Sequence, residues 1–443
     1  MPAHTRLVRR LTRAVLAVAV AASVMAAPAA SAANPPTPGN FTGYGFDQCL
    51  APSQSAMDAW LSSSPFWAVG IYISGDSRAC RYQPNLTPAW IGEQLRNGWR
   101  LLPITLGPQA SCSDRFPRYG DDETIDPRSA SNYREARRQG RREASDTVAV
   151  ARSLGIVQGS TLWYDLEAYD IGNRSCRESA LYFTSAWTAQ LHRLGYVSGV
   201  YSSAASHILA MDDARVDRPG TFALPDRIWI ARWDEVANTS TGYVREDGWR
   251  PGGRMKQYRG GHNETHGGVT INIDSNFLDL GRGSVARPER AHCGGVRLNF
   301  RTYPALRREA TGSRVRAAQC LLTQTGFYSG PATGTMDSAT RDAVRAYRLD
   351  RGLLPANRNV GAAVWTALHS EGRKAIVKHG AAGEMVRRLQ RSLNAATGAK
   401  LAVDGTFAGA TTSAVASYQR RVGAPDTGVV TVQTWSHLQR GER

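Results

Sequence analysis

Two carboxylates set two residues apart, Asp165 and Glu167 in the run LWYDLEAYD, stand among aromatic and aliphatic residues. An ionised carboxyl loses its water on burial, so acids in a strand-like run demand a reason. On an extended chain, residues two apart share a face and lie about 7 Å apart. The polar stretch DIGNRSC that follows marks the strand's end. Asp47 closes an earlier run of the same character, and Asp274 lies within a later one, VTINIDSNF. Converging carboxyls suit glycoside hydrolysis, which needs a protonated acid at the leaving oxygen and negative charge beside an oxocarbenium-like transition state. Crowded negative charge raises one carboxyl's proton affinity and keeps such a donor loaded near neutrality. Each acid also has a structural reading: Asp165 could pair with a buried arginine and Asp47 could cap a helix. Asp274 could serve a polar cluster with Asn272 and Asn276. Tyr72, Tyr164, Trp233 and Tyr258 offer ring faces for sugar stacking, although Trp229 and Trp233 read as core before platform.

These residues need a frame. Eight short β-rich runs lie between residues 41 and 283: YGFDQCL, FWAVGIYIS, WRLLPITLG, TLWYDLEAY, VSGVYSS, RIWIARWD, MKQYRG and VTINIDSNF. Helical patterns separate several of them, notably 130–154 and 176–194, the second closed by Gly195. Strands alternating with helices imply parallel β/α units, and eight fit a (β/α)8 TIM-type barrel over 41–285. A doubly wound open sheet is the competitor, but no Gly-rich phosphate loop supports it. In a closed barrel the first and eighth strands are neighbours, which brings Asp47 and Asp274 to the mouth that Asp165 and Glu167 also reach.

The 443 residues exceed one ordinary domain. Arg6, Arg9, Arg10 and Arg13 precede the apolar run AVLAVAVAASVMAA and the triplet Ala30-Ser31-Ala32, an export signal over 1–32 with cleavage after Ala32. The Arg9-Arg10 pair raises twin-arginine export, though its neighbours match that motif poorly. A Pro-rich linker, 33–40, follows, and no later run is long and apolar enough to span a bilayer. Cys49, Cys80, Cys112, Cys176, Cys293 and Cys320 include no C-x-x-C pair, which favours disulfides. Sequence order and domain limits favour Cys49–Cys80, Cys112–Cys176 and Cys293–Cys320. The formal charge of +17 suits an anionic polymer such as cell wall. Nucleic acid is the weaker partner, since export and the lack of a nucleic-acid motif speak against it. His262, Glu264 and His266 in GGHNETHGG mimic a zinc motif, but flanking glycine pairs predict a loop rather than the required helix. No metal and no cofactor is expected.

The remainder repeats. The stretch from Gly312 aligns with that from Gly383, matching Gln319 with Gln390, Gly334 with Gly405, Thr340 with Thr411, Tyr347 with Tyr418 and Trp365 with Trp435. Val386, Leu389-Gln390, Leu393, Val403-Asp404-Gly405, Phe407, Gly409, Thr412, Val415, Tyr418-Gln419 and Trp435 resemble the peptidoglycan-binding family 1 signature. In the first copy Thr333, Met336 and Arg348 stand where the second has Asp404, Phe407 and Gln419. The resemblance implies two small all-α three-helix modules, 293–372 and 375–443, and a wall-glycan partner. Most of these residues read as helix-bundle core in any case.

The strand-end motifs GFDQC, YDLEAY, IWIARW, KQY and NIDSNF resemble family 25 lysozymes, and more closely the related secreted glycoside hydrolase-like domain of unknown function. The resemblance implies Glu167 as general acid, Asp165 as the neighbouring carboxylate that sets charge or orients an N-acetyl group, and Asp47 and Asp274 as further site acids. It extends the substrate contacts of Tyr72, Trp233 and Tyr258 to Gln257. The first strand reads D-Q-C rather than the lysozyme D-V-S, so a disulfide at Cys49 would reshape that corner. The expectation is a secreted, monomeric wall protein, either a muramidase-like glycosidase or a non-catalytic glycan-binding scaffold with the same cleft. An amidase or peptidase would require a nucleophile or metal constellation that the sequence does not show.

Overall fold

The structure, a computed structural model, describes residues 33–443; the export signal lies outside the described residues. Eight strands close a barrel: β1 (Phe41–Asp47), β2 (Ala68–Ser74), β3 (Arg100–Thr105), β6 (Thr161–Asp165), β7 (Val197–Ser203), β8 (Arg227–Ala231), β9 (Gly253–His266) and β10 (Val269–Leu280). A small pair, β4 (Gln109–Ala110) and β5 (Thr124–Ile125), sits in the β3–β6 connection. All eight runs read from the sequence are barrel strands. Helices α1 (Gln54–Ser63), α2 (Pro88–Arg96), α3 (Ala130–Ser153), α4 (Arg174–Arg193) and α5 (Leu209–Asp217) complete this part. Side-chain caps start several of them: Ser53 accepts from the Ala56 N–H and Asn173 from that of Cys176. Ser53, not Asp47, therefore caps α1.

One departure is topological. Seven strands run parallel, but β10 runs antiparallel to both β9 and β1. Gly267 and Gly268, at φ +57° and +79°, make a two-residue hairpin with no room for a helix. The segment GGHNETHGG consequently ends a strand rather than forming a loop. His262, Glu264 and His266 share one face of β9, and Glu264 bridges the two imidazoles at 3.0 and 2.8 Å.

The barrel interior is filled by Phe41, Leu102, Trp163, Trp229, Met255, Leu278 and neighbours. Trp163 and Trp229 meet edge to face at 5.6 Å, and the Trp229 indole N–H donates to Asn276 at 2.7 Å. Trp229 is thus core. The Pro-rich segment read as a linker is fastened to the barrel: Thr37 is buried, its hydroxyl donates to the Leu101 carbonyl, and the Thr161 N–H donates to the Thr37 carbonyl.

The C-terminal region holds α6 (Ser313–Gln324), α7 (Ser338–Asp350) and α8 (Ala362–Ser370), then α9 (Glu384–Thr397), α10 (Gly409–Arg421) and α11 (Val432–Gln439). The repeated glutamine is internal glue: Gln319 accepts from the Gly334 N–H and Gln390 from that of Gly405, both at 2.9 Å. Their amides donate to Thr333 in one module and to Asp404 in the other, so that substitution keeps the bond. Arg348 likewise replaces Gln419 as a donor to a loop carbonyl. The second module is seated on the barrel. Lys378 is buried and donates to the Leu61 and Ser64 carbonyls at 2.8 and 3.0 Å, where α1 ends. His379 packs on Tyr44, and Gly380 accepts a hydrogen bond from Ser284.

Candidate active site

The C-terminal end of the barrel opens into a cleft of about 400 Å³, lined by Asp47, Glu167 and Asp274 with Tyr72, Tyr201 and Trp233. Asp47 and Asp274 are register partners on β1 and β10. Gln257 ties them together, its Nε2 lying 3.2 Å from both Asp47 Oδ1 and Asp274 Oδ2. Asn276 adds a 2.6 Å bond to Asp47, and the Gly261 N–H one of 2.5 Å to Asp274. Burial, then the Asp274 charge, pushes the Asp47 carboxyl up to about 8. Burial also raises Asp274, against the opposing Gly261 N–H and His262. Both carboxyls of the pair therefore hold a proton more readily than free ones.

Asp165 and Glu167 diverge. Asp165 ends β6 and is 2 % exposed, accepting from the Tyr72 hydroxyl at 3.1 Å, while its Oδ1 has no partner. Burial first, then the Glu167 charge, lifts it well above the usual carboxylate range. It lies beneath the cleft rather than on its wall and has no arginine partner. Glu167 does reach the wall, with its side chain 20 % exposed and 3.4 Å from Arg115. Sequence reasoning missed what holds this pair: Gln109 donates to the Asp165 carbonyl at 2.8 Å and accepts from the Glu167 N–H at 2.9 Å. No sequence signal links Gln109 to residues more than fifty positions away. Farther along, Ser206 accepts from the Tyr169 N–H at 3.0 Å, and Tyr169 bonds His207 at 2.8 Å.

The remaining predicted contacts separate. Trp233 is 64 % exposed over the cleft, its indole N–H donating to Gln257 at 2.9 Å, and it lies so flat on Gly260 that no Cβ would fit there. An exposed indole ring fixed in this way can stack on a sugar face. Tyr72 lines the cleft. Gln257 is saturated within the protein, its Oε1 also accepting from Tyr201 at 3.1 Å, so it positions rather than binds. Strand alternation turns Tyr258 away, towards Ser275 and Tyr44. Tyr164 likewise faces outward onto Phe183 and Trp187.

Three disulfides, Cys49–Cys80, Cys112–Cys176 and Cys293–Cys320, join all six cysteines. The first two tie loops at the mouth. Cys49–Cys80 ties down the first-strand corner, with Gln48, Cys49 and Cys80 in the cleft lining.

The closed barrel and the paired helical modules each match a known family. Residues 58–278 match the family described as Rv2525c-like, glycoside hydrolase-like domain, and residues 311–368 and 382–438 each match the family "Putative peptidoglycan binding domain". The barrel is thus a Rv2525c-like, glycoside hydrolase-like domain, and it is followed by two peptidoglycan-binding modules. Among solved structures it is similar to the Tat-secreted protein Rv2525c of Mycobacterium tuberculosis, with 13% identity, TM-score 0.36, and coverage of 55% of this chain and 98% of that one. It is also similar to the spore cortex lytic enzyme SleM of Clostridium perfringens (15% identity, TM-score 0.36, 54% and 67%). A third is the modular autolysin LytC of Streptococcus pneumoniae (13%, TM-score 0.33, 53% and 46%). No curated protein matches. Among the described residues, no helix is long and apolar enough to cross a membrane.

Proposed function

We propose that this is an exported glycosidase that cleaves peptidoglycan or a related wall glycan, with its modules holding the protein to the wall. The observation that carries the reading is the convergence of Asp47, Glu167 and Asp274 on one cleft under the Trp233 platform. Glu167 is the acid on the wall of that cleft and acts as proton donor to the leaving oxygen. The Asp47–Asp274 pair, drawn together by Gln257, sets the charge that opposes the cationic transition state. Asp165 supports from below, through Tyr72.

A second reading is a glycan-binding scaffold without turnover. It is favoured by the Arg115 guanidinium 3.4 Å from Glu167 and by the sealed position of Asp165. Digestion of purified peptidoglycan, followed by assay of new reducing ends, separates the two. Glu167→Gln should lower release by about 10²–10⁴-fold while wall sedimentation is retained. Release from the variant at the wild-type rate would sink the catalytic assignment, and binding without release by the wild type would favour the scaffold.

A further inference from the structure

One wall of the cleft is basic. Two loops, residues 75–83 and 111–123, meet above the β2 and β3 ends. Cys49–Cys80 ties the first and Cys112–Cys176 the second. They are zipped together by Arg81, which bonds Asp122 at 2.6 Å and lies 4.2 Å above the Tyr119 ring. The joined wall turns three arginines, Arg78, Arg115 and Arg118, into the same opening as the carboxylates.

Each guanidinium has capacity left. Arg78 is held in place by bonds to the Gly75 and Tyr72 carbonyls at 2.8 and 3.2 Å, which use two of its five N–H groups. Arg118 rests 5.1 Å over the Phe116 ring and makes no hydrogen bond among the described residues. Among the described residues Arg115 pairs with Glu167 alone, at 3.4 Å and with its own side chain 69 % exposed. So exposed a pair contributes little and yields to a better partner. Three guanidiniums with free N–H groups in one opening favour an oxyanion over a neutral hydroxyl as ligand. Planar forks of this kind match carboxylate and phosphate oxygens.

Resting on the glycan-cleaving reading of the site, we propose that the cleft selects a glycan whose sugar carries an anionic substituent, a carboxylate or a phosphate. Arg115 and Arg118 grip that substituent while Trp233, across the opening, stacks on the ring. Arg115 leaves Glu167 as the substrate oxyanion arrives, so binding the correct sugar also frees the acid. The two disulfides and the Arg81–Asp122 pair hold the wall in shape beforehand, which limits the ordering cost of binding.

Calorimetric titration of the full mature chain tests this with four probes: a disaccharide bearing a lactyl carboxylate, its methyl ester, neutral chitobiose, and N-acetylglucosamine 6-phosphate. The acid should bind about tenfold more tightly than its ester, as expected for a charge-assisted hydrogen bond. Arg118→Gln and Arg115→Gln should each bring that ratio towards one, with melting temperatures unchanged because neither residue is buried. Preference for the phosphate sugar over chitobiose, lost in the same variants, would support the anion wall and identify phosphate as the source. Equal binding of acid, ester and chitobiose would overturn the inference while leaving the glycan reading intact. No binding of any sugar would defeat both.

Discussion

Asp47→Asn should reverse its effect on stability across the pH range. The buried Asp47 carboxyl is pushed up to about 8, against an ordinary 3.8. A group whose folded pKa is raised contributes stability that is fully present below its unfolded pKa and is lost as pH rises through the folded value. The window is therefore about pH 4 to 8, and one proton gives a slope of about 1.4 kcal/mol per pH unit. Asp274 shares the proton through Gln257, so we expect about 2–5 kcal/mol across the window rather than the full slope throughout. Asparagine has no such titration. It can still accept from Asn276 and Gln257 through one oxygen, but its amide faces the Gln257 amide where Oδ2 now lies 3.3 Å away, a mismatch worth roughly 1 kcal/mol. The variant should be less stable than wild type below about pH 5 and more stable at pH 8 and above. His207, which burial pushes down to about 3, costs stability as pH falls below 6.5, but it does so in both proteins and cancels in the difference. Urea unfolding of both chains between pH 4.5 and 9 reads this directly. A stability difference that does not change with pH would refute the shared-proton account of the pair.

Two further outcomes follow from the C-terminal region. Gly380 sits at φ +91° with an added Cβ only 2.5 Å from the Phe41 ring, so Gly380→Ala should unseat the second module. Scanning calorimetry should then resolve a separate, lower transition for it, and an unchanged single melt would show the seat to be dispensable. Gln390→Ala removes the bonds to Gly405, Asp404 and Thr406 and should destabilise the second module by about 2–3 kcal/mol. Retained stability with lost sedimentation on peptidoglycan would instead make this glutamine a ligand contact.

The strands were legible because the barrel imposes their character: runs buried on both faces read as continuous apolar stretches. The hairpin was not, because an alternating β9 with glycines at both ends looks the same as a loop until its register is known. The acids could be named because carboxyls in apolar runs are costly. Their division of labour could not, since a two-residue spacing does not say that β6 ends at Asp165 and leaves Glu167 free to swing to the wall. Tyr258 and Gln257 show the same limit at one position's distance, one turned inward and one outward. Arg78, Arg115 and Arg118 carried no signal at all in a chain with 54 basic residues. Only the two disulfides and the Arg81–Asp122 pair bring them into one wall.

The seating of the second module also changes how targeting must work. Modules on a flexible tether raise local concentration according to linker length, and the repeats alone suggest that arrangement. Lys378 instead ends on the carbonyls of Leu61 and Ser64, beside Trp67 and Trp99, and Gly380 lies on Phe41. These residues border the N-terminal ends of β1, β2 and β3, whereas the acids sit at the opposite end of the barrel. The strand β1 carries the chain from Phe41 to Asp47, about 20 Å along the strand and less along the barrel axis because of strand tilt, so module and cleft lie at opposite ends of the barrel. On the proposed reading, a glycan bound to the second module on a face away from its seat lies far from the cleft, and the strand that reaches Glu167 is a different one, or the same one after bending around the barrel. Multilayered wall satisfies the first condition without bending, and isolated short glycan strands satisfy neither.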